Sequence, residues 1–176
     1  MYRLLLVIMV VTGFLSACTK ANSSADIVAA QLVKDDQLIS KYLSDNNIKA
    51  GQVDSLGFPT GVYYVVDSAG VANTLYTNST TVTVAFTGWL MNTDGTRGQE
   101  IGSSYLVGQT TQFNPSFVLG SVIRGWQLGI PEVGIGGAVT LYLPSKYGYG
   151  PFAQANIDVP ANSVLIFHII VYNVTN

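Results

Sequence analysis

Charge is what this sequence has least of. Lys, Arg, Asp and Glu make up 10% of the chain, against about 25% in ordinary globular proteins. A net charge of −2 offers no basic stripe to a phosphate backbone, so no nucleic-acid partner is expected. There is one cysteine, Cys18, and one histidine, His168. They leave no set of Cys/His metal ligands, and the few carboxylates lack ligand spacing, so neither a metal nor another cofactor is expected. Beyond Glu100 only Arg124, Glu132, Lys146, Asp158 and His168 carry charge or act as strong bases. That shortage removes the side chains most hydrolytic and transfer chemistry needs. The C-terminal part must work through apolar surface and backbone.

The chain opens with Arg3 and an uncharged run over residues 4–15. The run is too short to span a bilayer, which takes about 20 residues, and reads as an export signal over 1–17. It ends in Leu15-Ser16-Ala17-Cys18, which resembles the bacterial lipobox. That resemblance implies cleavage before Cys18 and acylation of its thiol and new amino group, hence a lipid-anchored protein. The alternative is an ordinary secretory signal with a stray cysteine. Residues 18–25 are small and polar, a flexible tether. Residues 26–50 form an N-terminal helical segment: a helix is expected over 26–45, stopped by Asn46-Asn47. Val28, Leu32, Ile39, Tyr42 and Leu43 make its apolar stripe, with Gln31, Lys34, Asp35, Gln37 and Lys41 facing water. The stripe either docks on the domain, acts as a spacer or forms a dimer surface.

From residue 51 to 176 the composition turns to Gly, Thr, Val and Tyr, and the apolar period falls to two. Strands are expected over 61–67, 81–90, 139–143 and 164–172, with a turn at Asp94-Gly95. In the second of these Val82, Val84 and Phe86 share one face. Between them lies the stretch 117–137. Phe117, Val118 and Leu119 begin it as a strand and Gly120 breaks it. Val122, Ile123 and Trp126 then recur at helical spacing. Pro131 and the glycines at 129, 134, 136 and 137 limit the helix to two or three turns, which needs a sheet to pack on. The expected fold is α+β, an antiparallel half-barrel sheet wrapped around one short helix, with no second helical pattern to cover its other face. Trp126 is the natural floor of what the sheet encloses.

The residues carry a family resemblance. Val84-Ala85-Phe86-Thr87-Gly88-Trp89-Leu90 precedes Asp94-Gly95, and Phe117-Val118-Leu119-Gly120 precedes Val122-Ile123-Arg124-Gly125-Trp126. Leu143-Pro144-Ser145, Tyr147-Gly148-Tyr149-Gly150 and Val159-Pro160-Ala161-Asn162-Ser163 follow, then Leu165-Ile166-Phe167. In this order and spacing, over residues 81–174, the chain resembles the FKBP-type peptidyl-prolyl isomerases. With its lipobox and short helix, the layout is similar to the lipoprotein isomerases of Gram-negative bacteria, especially Bacteroidetes. It implies a cell-envelope protein on the periplasmic face of the outer membrane, acting on proline-containing exported polypeptides.

The resemblance also implies roles. Trp126 is the floor under a prolyl ring, with Phe86, Phe117 and Phe167 as walls and Ile101, Val122, Ile123 and Val159 filling the sides. The backbone N–H of Ile123 and the hydroxyl of Tyr149 donate to substrate carbonyls. Trp126, Tyr149 and Phe86 are the residues expected to carry catalysis. Taken singly, each apolar member reads equally as ordinary core.

Departures from the family bear on catalysis. Phe86 stands where the family has Tyr, and Ile101-Gly102 stands where it has Phe-Asp, so the pocket's one carboxylate is missing. Glu100, two residues before Gly102, is a substitute only if its strand turns it inward. His168 is expected on the face opposite Phe167, and Arg124 in a structural pairing. Two classes of function stay open: a prolyl isomerase, and a peptide-binding or chaperone lipoprotein that keeps the cup without the chemistry.

Overall fold

The computed structural model describes residues 24–105 and 113–176. The export signal, Cys18 and the first part of the tether lie outside the described residues. Helix α1 (Ser24–Asp45) leads into strands β1 (Gly51–Ser55), β2 (Phe58–Ser68), β3 (Thr81–Met91), β4 (Arg97–Ser103) and β5 (Ser116–Val118). Helix α2 (Arg124–Gly129), β6 (Ala138–Leu143) and β7 (Leu165–Thr175) follow. The sheet has the order β1-β2-β6-β7-β3-β4, and every pairing is antiparallel. Strand β5 pairs with the start of β3, Thr81–Thr83, while β4 pairs with its far half, from Thr87 to Met91. One edge of β3 is thus shared by two strands, and Phe86 sits where one gives way to the other.

Alternation decides the two faces. Val82 and Val84 of β3, Val139, Leu141 and Leu143 of β6, and Leu165, Phe167, Ile169 and Val171 of β7 point to one side and form the main core. Helix α2 lies on that side, held close by its glycines. A Cβ on Gly125 would fall 2.5 Å from Leu143 Cδ1 and one on Gly129 2.4 Å from Leu141 Cδ2. Only hydrogen fits at either position, so the helix backbone rests directly on β6. The helix is shorter than its spacing suggested. Val122 and Ile123 precede it in extended backbone, Ile123 being the N-cap (ψ 147°). A 3-10 turn at Ile130–Glu132 continues it past the proline.

The other face is not bare, which corrects the expectation that no helix covers it. Helix α1 docks there through Ile39 and Leu43, against Met91, Tyr142, Val164 and Ile166. Burying two such side chains contributes about 1.5–3 kcal/mol each. Of the alternatives for the apolar stripe, docking is the one adopted, although Val28 is left exposed. A second correction concerns Asp35, expected to face water. It is 2% exposed, and its carboxylate accepts hydrogen bonds from the backbone N–H and hydroxyl of Ser145. Its neighbour Asp36 accepts from the Tyr63 hydroxyl at 2.7 Å.

Candidate functional site

On the main-core side a cavity of about 380 Å³ opens between β3, β5, β7 and the start of α2. Phe86, Phe117, Ser121, Val122, Ile123, Trp126, Tyr149 and Phe167 line it. Trp126, 5% exposed, is its floor. Three rings meet the indole edge-on, with centroids 5.2 Å away for Phe86, 5.8 Å for Phe117 and 5.3 Å for Phe167. Edge-to-face packing of this kind is worth about 0.5–1.5 kcal/mol per pair beyond the area it buries, and it fixes each ring's orientation.

The walls are held from behind. Ser104, itself buried, locks the backbone of Phe86: its hydroxyl accepts from Phe86 N–H at 2.9 Å, and its own N–H donates to Phe86 O at 2.8 Å. Opposite the strand, Gln127 donates from Nε2 to Val122 O at 2.8 Å and accepts from Arg124 at 2.8 Å. Arg124 therefore serves the segment that carries Val122 and Ile123, while its own side chain does not line the cavity.

Among the described residues three donors here have no protein acceptor: the Ile123 backbone N–H, the Tyr149 hydroxyl and the Trp126 Nε1–H. The extended backbone before α2 leaves the first of these unpaired, as helix starts do. Burial raises the pKa of the Tyr149 hydroxyl above its ordinary value of 10.0, so it stays a proton donor. Of the three, Trp126 Nε1–H is fully buried, an unmet donor that costs about 1–3 kcal/mol. Apolar walls with a few convergent donors are the chemistry of a site for an amide flanked by apolar groups.

Seven of the nine sequence-derived residues come together in this lining. Two do not. Val159 is 2% exposed within the core, and Ile101 packs against that core without reaching the cavity. The register explains Ile101. Gly102 pairs with Gly88 but Glu100 pairs with Trp89, so Ile101 is the extra residue of a bulge. The same register puts Glu100 beside Trp89, which packs toward α1, and removes it as a substitute acid. His168 also points to the α1 side, with Nε2 3.7 Å from Asp67. Ser121 lines the cavity unforeseen. Its hydroxyl donates to Val118 O at 2.7 Å, closing a turn that no sequence period reveals.

Gly88 and Gly102 face the same interior for different reasons. A Cβ on Gly88 would come within 2.4 Å of the Phe167 ring, so glycine is required. A Cβ on Gly102 would touch only Phe86 Cε2, at 3.8 Å, which is ordinary contact. Space for a side chain exists at Gly102, where the resemblance places the missing carboxylate.

Comparison with known proteins agrees with this geometry. The family profile described as FKBP-type peptidyl-prolyl cis-trans isomerase matches residues 73–172. The chain is 38% identical over 88 residues to FK506-binding protein 1 of Gibberella zeae, covering 50% of this chain and 76% of that protein. It is 33% identical over 117 residues to the FKBP-type isomerase FkpA of Buchnera aphidicola subsp. Schizaphis graminum, covering 66% of this chain but only 42% of the relative's length. The crystal structure of FkpA from Escherichia coli superposes with a TM-score of 0.61 at 28% identity, over 86% of this chain and 62% of that one. The chain belongs to the FKBP-type peptidyl-prolyl cis-trans isomerase family.

Proposed function

We propose that this protein catalyses cis–trans isomerisation of X-Pro bonds in exported polypeptides. The observation that carries the reading is the aromatic cup on Trp126, with the unpaired Ile123 N–H and Tyr149 hydroxyl at its rim. Rotation about an amide crosses a barrier of about 18–20 kcal/mol, because the twisted form gives up its resonance. Planar resonance places negative charge on oxygen and positive charge on nitrogen. An apolar cup solvates that charge-separated form poorly, so the twisted form loses less on entering. Trp126, Phe86, Phe117 and Phe167 exclude water from the prolyl ring, and Ile123 N–H and Tyr149 hold the flanking carbonyls. Lowering the barrier by about 4 kcal/mol accelerates rotation roughly a thousandfold. No nucleophile takes part.

Isomerisation of a short X-Pro peptide, followed with the full chain and with Trp126→Ala, tests this. The expected result is activity that falls roughly a hundredfold in the variant, about 2.7 kcal/mol of transition-state binding. Equal rates in the two would sink it. A second reading, peptide binding without catalysis, is favoured by one observation: among the described residues no carboxylate lines the cavity. It predicts retained peptide affinity with no rate enhancement.

The lipobox-like Cys18 supports attachment to the periplasmic face of the outer membrane, with 18–25 as tether. Expression in a bacterial host with labelled fatty acid should label the protein, and Cys18→Ala should abolish the label. Label surviving that change would remove the anchor.

A further inference from the structure

Asp35 has no part in the cavity, yet its connections lead there. It lies on α1, and its Oδ2 accepts from the backbone N–H (2.8 Å) and the hydroxyl (2.6 Å) of Ser145, 110 residues away. Its Oδ1 accepts from Gln31 Nε2 at 2.7 Å. Both Asp35 and Ser145 are 2% exposed. Ser145 opens a 3-10 turn, and its carbonyl accepts from Gly148 N–H at 3.0 Å and Gly150 N–H at 2.8 Å. Those two bonds bracket Tyr149, whose side chain lines the cavity. The carbonyl of Gly150 accepts in turn from Asn162 N–H at 2.7 Å.

We propose that Asp35 is a positioning residue: through Ser145 it holds the turn that presents the Tyr149 hydroxyl, which makes α1 part of the isomerase site. The claim rests on the reading of the cavity as the X-Pro site. Covering the sheet needs only the apolar side of α1, which Ile39 and Leu43 supply. A buried carboxylate adds nothing to that cover and is costly unless its oxygens are satisfied. Here they are satisfied by donors that fix one residue in both place and orientation. Among the described residues, no other side chain from outside the turn hydrogen-bonds to residues 144–150.

Two measurements on the full chain decide it: amide exchange at Gly148 and Gly150, and kcat/KM for an X-Pro peptide. In Asp35→Ala both glycine amides should exchange roughly tenfold faster, and kcat/KM should fall roughly tenfold, as misplaced groups cost rate steeply. Asp35→Asn keeps an acceptor oxygen for Ser145 while Gln31 turns its own carbonyl to the new amide, so activity should return to within about twofold. In a Tyr149→Phe background Asp35→Ala should cost no further activity, because the group it positions is gone. Unchanged glycine exchange in Asp35→Ala overturns the proposal. So does an equal loss of kcat/KM with and without the Tyr149 hydroxyl. Should Asp35→Ala fail to fold, Ser145→Ala keeps the backbone contact and carries both measurements at a smaller size, about threefold. A wild-type chain without isomerase activity would fail the site reading, while glycine exchange still decides the clamp.

Discussion

The two faces of one sheet treat their polar atoms in opposite ways. On the α1 face three polar side chains drawn under the helix are answered from within the protein: Tyr63 by Asp36, Ser145 by Asp35, and Asp35 again by Gln31. On the α2 face Trp126 Nε1, Ile123 N–H and Tyr149 have no acceptor among the described residues. Both faces bury aromatic and aliphatic side chains, so hydrophobic burial does not distinguish them. The distinction is completion. A covered face satisfies its donors to hold a helix, and a binding face holds its donors in readiness for a carbonyl that arrives with the ligand.

The largest way to break this comparison is to remove a residue from the covered face. Ile39 is fully buried between α1 and the sheet. Ile39→Ala should destabilise the protein by about 2–5 kcal/mol, from lost transfer energy plus the cavity left behind. Its kcat/KM per folded molecule should stay near the wild-type value while Leu43 and the Asp35–Ser145 bonds keep α1 docked, because Ile39 does not line the cavity. Denaturant unfolding beside an activity assay checks both halves. A stable protein would mean that Ile39 does not hold the cover, and an activity loss larger than the unfolded fraction explains would mean that the cover and the Asp35 contact move together.

Next in size is a change to the binding face. The wall beside Phe86 has open space at Gly102, where the resemblance implies the family's carboxylate. Gly102→Asp should raise kcat/KM about tenfold, the lower end of what a hydrogen bond to a charged group is worth when it forms in the transition state. The gain is limited because Phe86 lacks the hydroxyl that would hold the new acid. Gly102→Asp with Phe86→Tyr should therefore exceed the sum of the single effects in free energy. A loss in both variants would mean the apolar wall is itself the working form.

Much of this arrangement was legible in the chain. The period-two alternation of Val82, Val84 and Phe86 and the ordered motifs from Phe86 to Phe167 placed the sheet, α2 and most of the lining. The failures share a cause, which is that each depends on partners distant in sequence. Asp35 lies within the apolar stripe of its own helix, three residues after Leu32 and four before Ile39, and its charge rather than its place suggested water; Ser145 is the partner that lets it be buried. Glu100 was left open and Ile101 was expected in the lining, and a bulge at Ile101 that no period announces shifts the register of both. Val159 follows a left-handed Asp158 and bridges back to Gln154, which turns it inward past the cavity. The extended backbone of Val122 and Ile123 was hidden by a spacing that also fits a helix.

The smallest expected effect is that of pH, and it treats the two faces alike until alkaline conditions. No carboxylate or histidine lines the cavity, and burial holds the Tyr149 pKa above 10.0. The rim donor is therefore protonated throughout the neutral range, and kcat/KM should be flat from about pH 6 to 9, below the range in which an ordinary tyrosine titrates. A step within that interval would mean that a titrating group reaches the site, against the apolar lining. On the covered face burial pushes Tyr142 up to about 12, with the neighbouring Tyr42 adding to the rise. A folded pKa above the unfolded one means the native state holds its proton more tightly. The stability this gives is complete below the unfolded value of about 10 and is lost as pH rises through the folded one. Tyr142 and Tyr149 lie on different faces but share that sign. Unfolding midpoints measured from neutral to alkaline pH should hold steady to about pH 10 and then fall, with activity following stability rather than preceding it.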